Sequence, residues 1–139
     1  MIFWDSSALL PLLTWEQETE LRESQLRAEA EMVAWWGTRM ECHSAIRRRE
    51  REGGLTSESV RKALVRLDHL STSWYEVSPS ETVRLRGERL LKVHPLRAAD
   101  ALQLAAALLA FNEKTAGVKL YTADSRLAQA AEREGFTLF

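Results

Sequence analysis

Apolar residues occur in short blocks separated by longer amphipathic stretches, a rhythm that predicts strands alternating with helices. Met1 to Trp4 is apolar and aromatic and runs into the helix-compatible Ser6-Ser7-Ala8-Leu9-Leu10, so a strand-to-helix junction is predicted with Asp5 at its corner. Glu16 to Glu31 is charged and punctuated by Leu21, Leu26, Ala28 and Ala30, which suits an exposed helix, and Met32 to Trp36 reads as a second, buried strand. Trp35 and Trp36 point to opposite faces of that strand, so a strand covered on both sides would bury both. Gly37-Thr38 breaks it, and Thr38-Arg39-Met40-Glu41 matches a capping box opening a helix that runs towards Glu52 and stops at Gly53-Gly54.

A third helix is signalled by Thr56 as cap and by Val60, Ala63, Leu64, Leu67 and Leu70 at helical spacing, ending in Ser71-Thr72-Ser73. Trp74 to Val77 is a short strand candidate, and Ser78-Pro79-Ser80-Glu81 is a second capping-box pattern with proline in the first turn. The helix it opens passes through Leu90 and Leu91. Beyond His94-Pro95, Arg97 to Phe111 is Ala and Leu around nearly its whole circumference, as in a helix buried on most sides, and Asp100 interrupts that surface. Val118 to Thr122 is a fourth strand, Asp124 to Glu134 a short helix closed by Gly135, and Phe136 to Phe139 a last strand. Such alternation predicts an α/β fold: a three-layer α/β/α sandwich on a mostly parallel sheet, with functional groups gathered beyond the carboxyl ends of the strands.

Composition narrows this picture. At 139 residues, 45% apolar and 28% charged, the chain suits a single domain spanning residues 1–139. No apolar run approaches the roughly 20 residues that span a bilayer, and an acid at Asp5 stands where a signal peptide needs its apolar region, so a cytoplasmic protein without membrane partners is expected. Cys42 is the only cysteine, and His43, His69 and His94 lack zinc-ligand spacing. A formal net charge of −1 means that any binding of nucleic acid is local. Arginine is locally dense around Arg47, Arg48, Arg49 and Arg51, but glutamates such as Glu50 and Glu52 allow these stripes to be read as solvated helix faces. Of five tryptophans, Trp15 lies beside a polar helix and is a candidate partner contact.

Four acids stand at chemically suggestive places. Asp5 and Asp124 follow apolar strands directly or within two residues, which puts both at the carboxyl edge of a parallel sheet. Glu41 opens the helix after the second strand, and Asp100 lies in the first turn of the apolar helix before the fourth. Carboxylates brought together raise one another's pKa, and a divalent cation removes that penalty. An oxygen-only donor set points to Mg²⁺ or Mn²⁺, and with them to phosphodiester hydrolysis. Each acid also has a plainer reading. Asp5 and Asp124 are good helix caps, Glu41 fits the capping box with Thr38, and Arg97 is placed to pair with Asp100.

Several segments together resemble the PIN domain family, and within it the VapC-type toxins of toxin–antitoxin pairs. Ile2-Phe3-Trp4-Asp5-Ser6-Ser7-Ala8-Leu9-Leu10 is similar to the family's first strand and helix start, and Glu41 before an arginine-bearing helix is similar to its second acid. Arg97-Ala98-Ala99-Asp100-Ala101-Leu102-Gln103-Leu104-Ala105-Ala106-Ala107 resembles its most diagnostic segment, and Leu120-Tyr121-Thr122-Ala123-Asp124-Ser125-Arg126-Leu127 the strand carrying its last acid. The resemblance implies a PIN-like fold and a Mg²⁺- or Mn²⁺-dependent ribonuclease, held inactive by a cognate antitoxin, acting on tRNA or ribosomal RNA, and commonly homodimeric. It further implies that Asp5, Glu41, Asp100 and Asp124 are catalytic, with Asp5, Asp100 and Asp124 as metal ligands and Ser7 and Thr122 as supporting hydroxyls. Arg47 would be an antitoxin or RNA contact, or only a surface cation. Two alternatives stand beside this reading: a catalytically weak PIN-fold module that docks partners, and an acidic phosphatase or phosphoacceptor with Asp5 as nucleophile. Phosphatases of that kind place a second Asp where this chain has Ser7.

Overall fold

A computed structural model describes residues 1–139. Twelve elements follow in order: β1 (Ile2–Trp4), α1 (Ser6–Leu13), α2 (Thr19–Ala28), β2 (Met32–Trp35), α3 (Thr38–Arg51), α4 (Ser57–Ser71), β3 (Tyr75–Val77), α5 (Glu81–Val93), α6 (Ala98–Ala110), β4 (Lys119–Tyr121), α7 (Ser125–Arg133) and β5 (Thr137–Leu138). Five strands form one sheet in the order β3-β2-β1-β4-β5, and every pairing is parallel. The chain steps outward from β1 through β2 to β3, then crosses to β4 on the other flank. β1 and β4 therefore border the point where the winding reverses, the place where open parallel sheets open a crevice at their carboxyl edge.

Alternation along the strands divides the core into two layers. Ile2, Trp4, Met32 and Ala34 face a cluster built with residues of α1, α3 and α4, while Phe3, Val33, Trp35 and Leu120 face a second built with α5, α6 and α7. A sheet covered on both faces needs apolar residues at consecutive positions, which is why β1 and β2 read as unbroken apolar runs. Alanine in α6 lets that helix lie close to its neighbours: Ala105, Ala106 and Ala107 are wholly buried, and a side chain added at Gly87 of α5 would come within 3.7 Å of the Ala101 carbonyl oxygen. No helix is long and apolar enough to cross a membrane.

Four expectations about local structure change. The helix expected over Glu16 to Glu31 shortens to α2. At its front the Thr19 hydroxyl accepts from the Glu16 N–H at 2.8 Å and donates to the Pro11 carbonyl at 2.7 Å, fixing a turn; behind it, the Glu31 carbonyl accepts from Ile2 N–H at 3.1 Å and draws the chain alongside β1. Thr38 is no capping-box residue. Gly37 holds the cap position, forced by the Trp35 ring, since a Cβ there would lie 2.6 Å from Trp35 Nε1. α5 is capped by Ser80, which accepts from Val83 N–H at 3.2 Å, and not by Ser78, because β3 pairing persists to Val77 and delays the helix; Pro79 thus precedes the cap. Lastly, β2 ends at Trp35, so Trp35 is buried whereas Trp36, past the strand, is 53% exposed.

Candidate acidic active site

Asp5 is nearly fully buried at the end of β1, where its N–H donates to the Tyr121 carbonyl of β4 at 3.0 Å. Its carboxylate caps α1, accepting from Ser7 N–H at 3.3 Å, and the same oxygen, Oδ2, accepts from Ser7 Oγ at 2.5 Å and Thr122 Oγ1 at 2.8 Å. With both hydroxyl hydrogens spent on Asp5, the hydroxyl oxygens are left as acceptors. Ser7 Oγ takes Ala123 N–H at 2.8 Å and Thr122 Oγ1 takes Asp124 N–H at 3.0 Å, so the turn after β4 is tied to the turn after β1. Asp124 caps α7 through Oδ1, accepting from Leu127 N–H at 2.8 Å. The capping readings of Asp5 and Asp124 therefore hold, and they leave Asp124 Oδ2 uncommitted, with Asp5 Oδ1 bound only by Ser6 Oγ at 3.4 Å.

Glu41 lies one turn into α3, half-buried, with Oε2 accepting from Gln103 Nε2 at 2.6 Å. Burial, opposed by that hydrogen bond and reinforced by the charges of Asp5 and Asp100, pushes its pKa up to about 7. Asp100, in the first turn of α6, is only partly buried, so it does not stand as deep in apolar surroundings as its sequence context suggests. Its pKa is raised by burial and then by Asp124 and Asp5, against lesser opposing effects from Arg97 and Arg126. Arg97 occupies the cap position of α6 and acts on Asp100 only at a distance, so the ion pair weighed as the plainer alternative does not form. Arg47 pairs with Glu50 at 3.0 Å on the outer face of α3.

Two residues of this site escape sequence reasoning. Gln103 and Thr38 are completely buried, and Gln103 Nε2 donates to Thr38 Oγ1 at 2.9 Å as well as to Glu41. The available signal was Gln103 itself, a polar residue in Ala-Leu-Gln-Leu-Ala-Ala-Ala standing three positions after Asp100, and hence on the same side of the helix.

At the carboxyl edge of the sheet Glu41 thus lies within electrostatic reach of Asp5 and Asp100, and Asp100 within reach of Asp5 and Asp124, with Asp5 and Asp124 beside the winding reversal. No three His, Cys, Asp or Glu side chains stand close enough together to form a ready-made metal cage. The donor chemistry nevertheless suits a hard cation such as Mg²⁺, which keeps several waters and needs only one or two carboxylates beside a substrate phosphate. Asp5, Asp100 and Asp124 keep carboxylate oxygens available to a cation, and the burial and neighbouring negative charge that lift Asp100 and Glu41 are what an added positive charge would relieve.

A family model described as the PIN domain matches residues 2–133. No curated protein matches the chain in sequence. Among solved structures, VapC20 of Mycobacterium tuberculosis, described as a sarcin-ricin loop cleaving toxin, superposes with a TM-score of 0.69 at 17% identity, covering 99% of this chain and 97% of that one. FitAcB from Neisseria gonorrhoeae gives 0.68 at 16% identity over 100% and 96%, and a toxin–antitoxin complex from Klebsiella pneumoniae gives 0.63 at 17% over 91% and 88%. At such identities the likeness to these structures is one of fold.

Proposed function

The chain belongs to the PIN domain family, and from that premise we propose that it is a Mg²⁺- or Mn²⁺-dependent endoribonuclease, the toxin of a toxin–antitoxin pair. In this reading residues 1–139 act as one domain in a homodimer, cut tRNA or ribosomal RNA, and are silenced by a cognate antitoxin protein. The observation that carries it is the gathering of Asp5, Glu41, Asp100 and Asp124 at the sheet's carboxyl edge, where burial and then the charge of neighbouring acids raise the pKa of Glu41 and Asp100. Structural relatives described as toxins or toxin–antitoxin assemblies support the biological context, and the one described as cleaving the sarcin-ricin loop makes ribosomal RNA a natural first substrate.

Asp5, Asp100 and Asp124 would hold the cation. When bound, it supplies charge stabilisation to the scissile phosphate and acidifies water at neutral pH. Ser7 and Thr122 hold the Asp5 carboxylate in a single orientation, with Oδ1 turned away from their hydroxyls. Gln103 occupies Glu41 Oε2, which leaves Oε1 to accept the proton of an attacking water, and a carboxylate with a pKa near 7 is matched to that task.

The open spacing of the acids favours one other reading, a PIN-fold module that docks partners with little catalysis. Incubating a tRNA and ribosomal RNA mixture with the protein in Mn²⁺, Mg²⁺ or EDTA separates the two. Metal-dependent cutting that Asp100→Asn abolishes is the expected result; a folded parent that cuts nothing with either metal, or an equally active variant, leaves the docking module standing.

A further inference from the structure

Trp36 is an exposed tryptophan that shares a groove with Glu41. Its N–H donates to the Val77 carbonyl at 3.0 Å, so the backbone remains fixed to the sheet edge while the ring stands in solvent. Met40, 71% exposed, follows it on α3, and Ser44, Arg47 and Arg48 continue that face at helical spacing. Two open grooves meet here and share Trp36, Met40 and Ser44. One, of about 490 Å³, reaches Glu41, Arg48 and the start of α6 at Ala99 and Leu102. The other, of about 580 Å³, runs outward past Arg39, His43 and Arg47. Trp36 thus stands midway on a continuous path from Glu41 to a group of arginines.

The chemistry of that path favours a single-stranded nucleic acid over an apolar peptide. The inner groove adds Trp35, Ala45, Ala99 and Leu102 to Trp36 and Met40, but the outer one carries only Trp36 and Met40 among Arg39, His43 and Arg47, so the apolar surface stops short, whereas a helix-binding groove would carry apolar residues along its length. Arg48 enters no ion pair. Arg39 pairs with Asp68 and Arg47 with Glu50, but exposed pairs of this kind contribute little and exchange readily for a phosphate. Glu76, the acid of the outer groove, accepts from Trp74 Nε1 at 3.3 Å. A net charge of −1 denies the chain a broad electrostatic hold on RNA, so affinity has to come from a few local phosphate contacts together with stacking.

We infer that Trp36 is a base-stacking platform: an unpaired nucleotide next to the scissile phosphate lies on its ring, with Met40 beside it, while Arg39, Arg47 and Arg48 take the phosphates leading away. The inference rests on the nuclease reading and specifies that the RNA is single-stranded where it crosses α3. Trp36 determines substrate binding and plays no part in the chemistry.

The test uses the full chain carrying Asp100→Asn and a labelled single-stranded RNA of about ten nucleotides, read by fluorescence anisotropy. Adding Trp36→Ala is expected to weaken binding about 5- to 100-fold, the usual worth of one stacked base, with Trp36→Phe restoring most of it. Trp15→Ala, removing a tryptophan that is 82% exposed elsewhere, is expected to change nothing. Across salt concentrations, log K against log[salt] should be shallow, with a slope of about −2 for three phosphate contacts to a single strand. Affinity untouched by Trp36→Ala, or a parent that binds no RNA, overturns the inference and returns the groove to a protein partner. In the parent background the two readings separate: cutting with unchanged KM in Trp36→Ala sinks the platform and leaves the nuclease, whereas Trp36-dependent binding without any cutting sinks the nuclease and leaves the platform.

Discussion

The two halves of the acid site hold their carboxylates in opposite ways. On the β1–β4 side, Asp5 is nearly fully buried yet accepts from one backbone N–H and three hydroxyls, and those of Ser7 and Thr122 accept in turn from the next loop. On the α3–α6 side, Glu41 has a single amide donor and Asp100 has no donor raising its acidity, and burial together with neighbouring charge lifts the pKa of both. The same residue chemistry therefore serves as structural anchor on one side and as stored repulsion on the other. A carboxylate with several donors stabilises the fold that holds it, whereas a poorly solvated one destabilises it unless a proton or cation arrives.

The largest expected effect follows from that contrast. Asp5→Ala removes a helix cap and the acceptor shared by the Ser7 and Thr122 hydroxyls, only one of which can then donate to the other at 3.1 Å, so a loss of about 2–3 kcal/mol of stability is expected. Asp100→Ala removes a partly exposed acid with a raised pKa and should alter stability by no more than about 0.5 kcal/mol, or raise it slightly. Both are expected to abolish RNA cleavage. Urea unfolding of the two variants measures the difference directly; equal costs would mean that the halves are not built differently.

Legibility in the sequence divided along a related line. Strand and helix order, the parallel sheet and the placing of Asp5 and Asp124 at its edge were readable because each depends on local pattern: apolar runs, a cap residue, a period. What could not be read depends on partners distant in sequence. Thr38 looked like a cap because Glu41 follows three residues later, yet its hydroxyl meets Gln103, 65 residues away. Trp36 looked buried because strand periodicity cannot tell where a sheet ends, and the packing of Trp35 on Gly37 ends it. Asp100 looked deeply buried because its neighbours are Ala and Leu, although the first turn of a helix at a sheet edge remains open to solvent.

A smaller effect, with a sign that depends on pH, is expected at Glu41. Its folded pKa of about 7 lies above the ordinary 4.5, so the folded state binds the proton more tightly, and stability falls as pH rises through the window between those values. Glu41→Gln removes the ionisation while retaining a hydrogen-bonding oxygen. The variant should match the parent below about pH 4.5 and exceed it by roughly 1–2 kcal/mol at pH 8, after discounting the full shift for solvent screening at a half-exposed group. Mn²⁺ at pH 8 should narrow the gap, because a cation held by Asp5, Asp100 and Asp124 binds both proteins but is attracted further by the Glu41 carboxylate that only the parent keeps. Thermal melts from pH 4 to 8, with and without Mn²⁺, provide the measurement, and a variant less stable than the parent at pH 8 would contradict the stored-repulsion account.

Thr122→Val tests the anchored half most gently. The substitution keeps the β-branched shape and deletes one of the donors to Asp5 Oδ2, together with the acceptor for Asp124 N–H. Ser7 continues to hold Asp5 through its hydroxyl and its N–H, so the loss should stay near 1 kcal/mol, well short of that for Asp5→Ala. If Thr122 acts mainly through Asp5, the penalties overlap: in an Asp5→Ala background, Thr122→Val should cost clearly less than in the parent, leaving only the contacts to Asp124 N–H and Ser7 Oγ to be lost. Additive penalties in that double-mutant cycle would show that Thr122 stabilises the β4–α7 turn independently. The anchor would then reduce to Asp5 and Ser7, and the tie to Asp124 would belong to the turn alone.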